Sequence, residues 1–160
     1  MAFSITDLAV AGGRVALSPM PGWRGTYAQD LAAVLRFAPA LVVSMTTAAE
    51  MGGLDLGTDL ARDSIAWRHL PVADFGVPSA KVAALWPAIS AEVQAVLASG
   101  DRVLVHCMGG CGRSGMAVLR LMVQAGEPPA TALARLRAAR SCAVETDAQR
   151  DWALGKTAAM

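Results

Sequence analysis

The stretch Val103-Leu104-Val105-His106-Cys107-Met108-Gly109-Gly110-Cys111-Gly112-Arg113-Ser114-Gly115 decides the reading of this chain. Val103 to Val105 is a short apolar run of the kind buried in a sheet. Glycines then interrupt regular structure, and Met116 to Ala125 reads as a nearly uncharged, buried helix. Strand, glycine-rich loop and helix in that order turn successive backbone N–H groups toward an anion at a helix N-terminus. Five residues separate Cys107 from Arg113, so the loop can curl with the sulfur at the bottom of the cradle. Arg113 adds a planar fork matched to phosphate oxygens. The same field favours a thiolate at Cys107. The Ser114 hydroxyl can donate a hydrogen bond to that sulfur. His106 fits as a support for the loop backbone rather than as a proton carrier.

Working outward, Lys81 to Ser99 carries Val82, Leu85, Trp86, Ile89, Val93, Val96 and Leu97 at helical spacing, and Pro87 should kink or split it. Before it, Ile65 to Leu70 reads as a strand and Pro71 to Pro78 as a loop. Ala40 to Met45 is an apolar run expected to be buried on both faces. Phe3 to Val10 and Arg14 to Leu17 read as strands joined at Gly12-Gly13. Capping boxes at Thr26-Tyr27-Ala28-Gln29 and Thr47-Ala48-Ala49-Glu50 start two helices, the first ending before Pro39. Beyond the decisive stretch, Gly126, Pro128 and Pro129 turn the chain into a helix over Ala130–Arg140, and a last helix runs from Thr146 to about Lys156. The alternation predicts an α/β fold: one domain over residues 1–160, with a mostly parallel sheet of four to five strands covered by helices on both faces.

Composition narrows the function. With 54% hydrophobic residues among 160 the chain can build a core, and a net charge of +1 gives no support for a nucleic-acid or membrane-surface binder. Lys81 and Lys156 are the only lysines among 14 basic residues. No apolar run reaches the roughly 18 residues of a membrane span, and Met1 to Val10 lacks a basic leader segment. A cytoplasmic protein with free thiols is the expectation, since Cys107, Cys111 and Cys142 are too few for a disulfide framework.

His106-Cys107-x-x-Gly110-x-x-Arg113-Ser114 resembles the signature of the cysteine-dependent protein tyrosine phosphatases. Leu70-Pro71-Val72-Ala73-Asp74-Phe75-Gly76-Val77-Pro78 is similar to the general-acid loop of their dual-specificity branch, kinase-associated type. The resemblance implies a phosphomonoester hydrolase acting on phosphotyrosine, or also phosphoserine and phosphothreonine, proteins. It implies Cys107 as nucleophile, Asp74 as general acid and then base, and Ser114 and Arg113 as catalytic partners. Met108, Gly109, Gly110, Cys111, Gly112 and Arg113 would bind the phosphate. No metal or cofactor is implied, and vanadate, phosphate or sulfate should occupy the loop. Asp74 is the only carboxylate between Asp63 and Glu92. Cys111 departs from the apolar residue usual in the family, and Ser141-Cys142 from a usual Pro-Gly.

Rival readings fare worse. Gly110-x-Gly112-x-x-Gly115 matches a dinucleotide fingerprint, but no acidic residue lies about 20 positions on. Arginine, not Lys-Ser/Thr, follows Gly112, against a nucleotide P-loop. His106, Cys107 and Cys111 lack regular zinc spacing. A rhodanese-like sulfurtransferase has a shorter loop, and a catalytically weak phospho-binding module would not need Cys107, Arg113 and Asp74 together. Gln149 completes a third capping box, Thr146-Asp147-Ala148-Gln149, and is read as a cap before a water-positioning group. Trp23, Trp67, Trp86 and Trp152 are read as packing residues, and Arg135, Arg137 and Arg140 as a solvated helix face, with a substrate-phosphate contact or support of the loop as the alternative for one of them. Cys111, four residues from Cys107, is its candidate redox partner, a pairing that stays open because a tight loop strains disulfide geometry. The uncharged loop positions Met108, Gly109, Cys111 and Gly112 argue against a polyphosphoinositide substrate.

Overall fold

Valine and leucine runs too short for helices pair into a five-stranded sheet in the computed structural model, which describes residues 2–156. The ends of the expected 1–160 domain, residue 1 and residues 157–160, lie outside the described residues. The strands are β1 (Thr6–Val10), β2 (Gly13–Ser18), β3 (Leu41–Ser44), β4 (Ala66–His69) and β5 (Arg102–His106), in spatial order β1-β2-β5-β3-β4. Only β1–β2 is antiparallel; β5 lies at the centre, parallel to both β2 and β3.

Alternation along the central strands builds two cores. Val15, Leu17, Leu41, Val43, Val103 and Val105 face one side, and Ala16, Val42 and Leu104 the other. The second side is covered by α1 (Tyr27–Phe37), α2 (Ala48–Met51) and α3 (Leu56–Ala61), which contribute Val34, Met51, Leu56 and Leu60. The first is covered by α5 (Trp86–Ala98), α6 (Gly112–Gln124), α7 (Pro129–Ala139) and α8 (Asp147–Ala153), with the short α4 (Ala80–Ala83) leading into α5. Each such fully buried Val or Leu contributes roughly 1.5–3 kcal/mol.

The helix expected over Lys81–Ser99 is split: α4 and α5 meet ahead of Pro87, which sits in the first turn of α5, where its missing N–H costs nothing. Thr47 forms both bonds of its capping box. Thr26 starts α1 without the expected side-chain cap, and Asp30 of the first turn accepts the Gly22 N–H at 2.8 Å. The segment α3 has no counterpart in the sequence reading: Gly52, Gly53 and Gly57 look like loop residues, yet Leu56 and Leu60, one helical turn apart, are buried. The helix expected from Met116 begins earlier, at Gly112, so the end of the glycine loop is already helical.

Candidate active site

Parallel strands put the C-terminal ends of β2, β3 and β5 on one edge of the sheet, where ligands of open α/β folds bind. Cys107 follows β5 there, at the base of a cleft of about 330 Å³. Its side chain is 2% exposed, and its Sγ lies 3.2 Å from Ser114 Oγ. Met108 to Cys111 curl from β5 into α6. The N-cap residue Cys111 makes no side-chain bond to the α6 terminus, where the Gly112 N–H faces the Glu145 carboxylate. Gly110 turns the loop at φ +74°, where a side chain would also collide with the backbone of Ser18 and Pro19. The loop is tied to its surroundings by Met20 N–H to Met108 O (3.0 Å) and by Arg140 Nε to Gly110 O (2.6 Å).

Arg113 is 2% exposed, and both its Nη atoms are engaged. Its Nη1 donates to Glu50 Oε1 at 2.6 Å and to Val72 O at 2.8 Å. Its Nη2 donates to Glu50 Oε2 at 3.0 Å and lies 3.3 Å from Asp74 Oδ1. Burial works against the guanidinium charge, but the Glu50 hydrogen bonds, with Cys107 and Asp74 nearby, hold its pKa above the ordinary arginine value. The Arg113 bond in turn holds Glu50 below the usual carboxylate range. Glu50 thus caps α2 through Thr47 and fixes Arg113 with the same carboxylate. The sequence reading saw only the cap; the missed signal is that Glu50 is the one carboxylate between Asp30 and Asp55. Glu50→Ala leaves a buried cation without its partner, so we expect a loss of about 3 kcal/mol in unfolding free energy by urea titration. A change below about 0.5 kcal/mol would make the pair incidental.

Asp74 sits on the Pro71–Pro78 loop with its side chain 55% exposed, facing the cleft and Arg113. Phe75, at φ 59°, turns the loop, and its N–H donates to Asp74 Oδ1 at 3.0 Å. The loop is fastened on both shoulders, by Arg113 to Val72 O and by Gln149 Nε2 to Gly76 O at 3.2 Å. Gln149 is fully buried and completes its capping box with Thr146. It acts as cap and latch, and does not line the cleft.

His106 is fully buried. Its Nδ1 lies 3.2 Å from Cys107 O, a carbonyl that can only accept, so Nδ1 carries the hydrogen. Nε2 must then accept from Ser44 Oγ at 2.5 Å, and Ser44 Oγ accepts from Trp67 Nε1 at 2.8 Å. Burial pushes the His106 pKa down to about 4 from 6.5. The unfolded chain therefore takes up this proton first: stability is complete above pH 6.5 and falls toward pH 4, by about 3 kcal/mol from this residue. Urea titrations across that range check it, and a His106→Asn variant should lose that slope between pH 6.5 and 5.

Several expectations are corrected here. Cys111 does not pair with Cys107, and the thiols are not all free: Cys111 is bonded to Cys142, with Cα atoms 5.1 Å apart, and Cys107 alone is free. The curl that turns Cys107 inward leaves Cys111 facing the α7–α8 turn. Of the three arginines expected on a solvated face, Arg137 is exposed and Arg135 and Arg140 are half-buried, and all three are hydrogen-bonded. Arg135 binds Glu127 and Ala9 O, Arg137 the carbonyls of Ala143 and Val144, and Arg140 the glycine loop. Trp86 and Trp152 pack edge to face at 5.2 Å as expected, but Trp23 is 39% exposed at the cleft mouth under Arg24. A carboxylate not singled out in the sequence, Glu145, also lines the cleft.

Among solved structures, the chain is similar to a kinase associated phosphatase with its catalytic-site cysteine substituted by serine: TM-score 0.79, 22% identity, 99% of each chain covered. It is similar to Tk-PTP in the active form, with TM-score 0.74, 30% identity, and 94% of this chain and 95% of that one covered. PTPMT1 in complex with PI(5)P matches at TM-score 0.72 and 21% identity over 89% and 88%. No curated protein sequence matches the chain. A family model described as "Polymorphic toxin system, DSP-PTPase phosphatase" matches residues 26–127, from the start of α1 to beyond α6. With most of its length inside that model, the chain belongs to this family of dual-specificity phosphatases, within the protein tyrosine phosphatase superfamily.

Proposed function

We propose that the protein hydrolyses phosphomonoesters on phosphotyrosine proteins, and on phosphoserine or phosphothreonine where the shallow cleft admits them, through a cysteinyl-phosphate. One observation carries this reading: the Cys107 sulfur, buried in the cleft and 3.2 Å from Ser114 Oγ, lies at the start of α6 beside Arg113. The loop N–H groups of Met108 to Arg113 bind the three equatorial phosphate oxygens, and Arg113 supplies its remaining donor, Nε. The Cys107 thiolate attacks phosphorus in line and the P–O bond to the substrate breaks. Asp74 gives its proton to the leaving oxygen. Water then cleaves the P–S bond, and the Ser114 hydrogen bond eases departure of the thiolate. The fixed dipoles of loop and guanidinium stabilise the charge of both transition states.

Glu50 serves this chemistry by presetting the Arg113 plane, which saves ordering it when substrate arrives. The uncharged loop residues Met108, Gly109 and Gly112 favour a monophosphate over a polyphosphoinositide. A panel of phosphotyrosine, phosphoserine and phosphothreonine peptides, run beside phosphoinositides and mononucleotides, tests the assignment. Fastest release from phosphotyrosine, inhibited competitively by vanadate, is expected. Release confined to a phosphoinositide would reassign the substrate, and sulfur transfer without phosphate release would overturn the reaction.

A further inference from the structure

Glu145 stands on a segment held with more bonds than a surface turn needs. The Cys111–Cys142 disulfide joins the glycine loop to the chain three residues before it. Val144 N–H donates to Cys111 O at 3.2 Å, and Arg137 donates to Ala143 O at 3.0 Å and Val144 O at 2.8 Å. Gln149 Oε1 accepts the Glu145 N–H at 2.9 Å. These ties hold Val144 at φ 66°, a conformation that a β-branched residue rarely adopts. Strain of this kind persists where the surroundings impose it, and such sites cluster where function needs a fixed geometry.

The segment delivers one carboxylate into the cleft. Glu145 lines it together with Cys107, Gly112, Arg113 and Asp74. It reaches the loop so closely that its Oε1 fills the space a Cβ at position 112 would take. Burial, then the charge of Asp74, push the Glu145 carboxyl above its ordinary value, while the Gly112 N–H and Arg113 pull it down. Asp74, by contrast, has Oδ1 engaged by the Phe75 N–H and Arg113 Nη2.

On the reading of a cysteinyl-phosphate mechanism, we propose that Glu145 is a second catalytic carboxylate, held in place by the Cys111–Cys142 disulfide, that takes the proton from the hydrolytic water. The sequence reading gave both proton transfers to Asp74; the geometry divides them. Asp74 loses its proton to the leaving oxygen in the first step. In the second, the water oxygen bonds to phosphorus, its proton passes to the Glu145 carboxylate, the P–S bond breaks and its electron pair returns to Cys107 as thiolate. Inorganic phosphate leaves, Glu145 returns its proton to solvent, and Asp74 takes one up from solvent before the next turnover. No oxidant or reductant takes part in turnover; the disulfide is a tether.

Glu145→Gln tests the assignment under stopped flow with an activated aryl phosphate. We expect a burst of one phenol per enzyme followed by turnover about 10²-fold slower than the parent, the lower end of general-base catalysis. The slow phase should have the same rate for good and poor leaving groups, because they have already departed. Reducing the disulfide in the parent should produce the same burst and slow phase, and reducing it in Glu145→Gln should change nothing further. Parent-like turnover of Glu145→Gln, a loss without a burst, or an added loss on reduction of that variant would each overturn the proposal. The cysteinyl-phosphate reading stands or falls separately, on whether phosphate is found on Cys107 of the parent.

Discussion

Cys107→Ser is expected to hydrolyse an activated aryl phosphate at least about 10³-fold more slowly than the parent, since removing a nucleophile that works as a unit with its partners costs that or more. The substitution changes one atom. The serine hydroxyl stays protonated where a thiol can ionise, and His106, next in sequence, is no base for it, since it directs both ring nitrogens away, to Cys107 O and Ser44 Oγ. The cradle itself survives, because it is made of loop backbone and of Arg113 held by Glu50. Tungstate affinity, measured by calorimetry, should therefore stay within about tenfold of the parent, a difference below about 1.4 kcal/mol. Loss of turnover together with loss of tungstate binding would mean that the substitution had damaged the loop. Retained turnover would remove Cys107 from the chemistry.

Asp74→Asn should slow a phosphotyrosine peptide by 10²–10⁴-fold, the usual worth of a general acid, and an activated aryl phosphate by about tenfold or less. The phenol of tyrosine, with a pKa of about 10, needs a proton to leave, whereas an activated phenol leaves as its anion. Asparagine keeps the size of Asp74 and an oxygen for the Phe75 N–H, so the loop should keep its shape. Steady-state kcat on the two substrates decides it. Equal small effects on both would pass the role to another carboxylate of the cleft.

The local structure around Cys107 was legible because it depends on neighbours in sequence. Val103 to Ser114 announces strand, loop and helix through apolar run, glycines and hydroxyl, and the structure places Cys107, Arg113 and Ser114 together as that order implies. Thr47 and Thr146 each cap a helix through the residue three positions on. Pro87 divides its helix for the same local reason.

What escaped depends on contacts between distant segments. Glu50 lies 63 residues from Arg113, and its capping role is complete without it, so nothing local betrays the second. Cys142 is 31 residues from Cys111 and meets it only because α7 folds back over the sheet. Arg140 reads as a helix-end cation until the glycine loop, 30 residues earlier, is seen to offer its carbonyl. Glu145 enters the cleft through the same fold-back. The short α3 was hidden differently: three glycines outweigh two leucines in any local reading, and only burial of Leu56 and Leu60 against the sheet makes it a helix.

The proposed passage of phosphate through Cys107 is met directly by one measurement. Parent protein is mixed with radiolabelled phosphotyrosine peptide, quenched in denaturant within the first turnovers and digested, and the labelled peptide is identified by mass spectrometry. The account predicts phosphate on the peptide carrying Cys107, absent from Cys107→Ser and chased to inorganic phosphate when the quench is delayed. Label on any other residue, or single-turnover release of phosphate with Cys107 never modified, would contradict it.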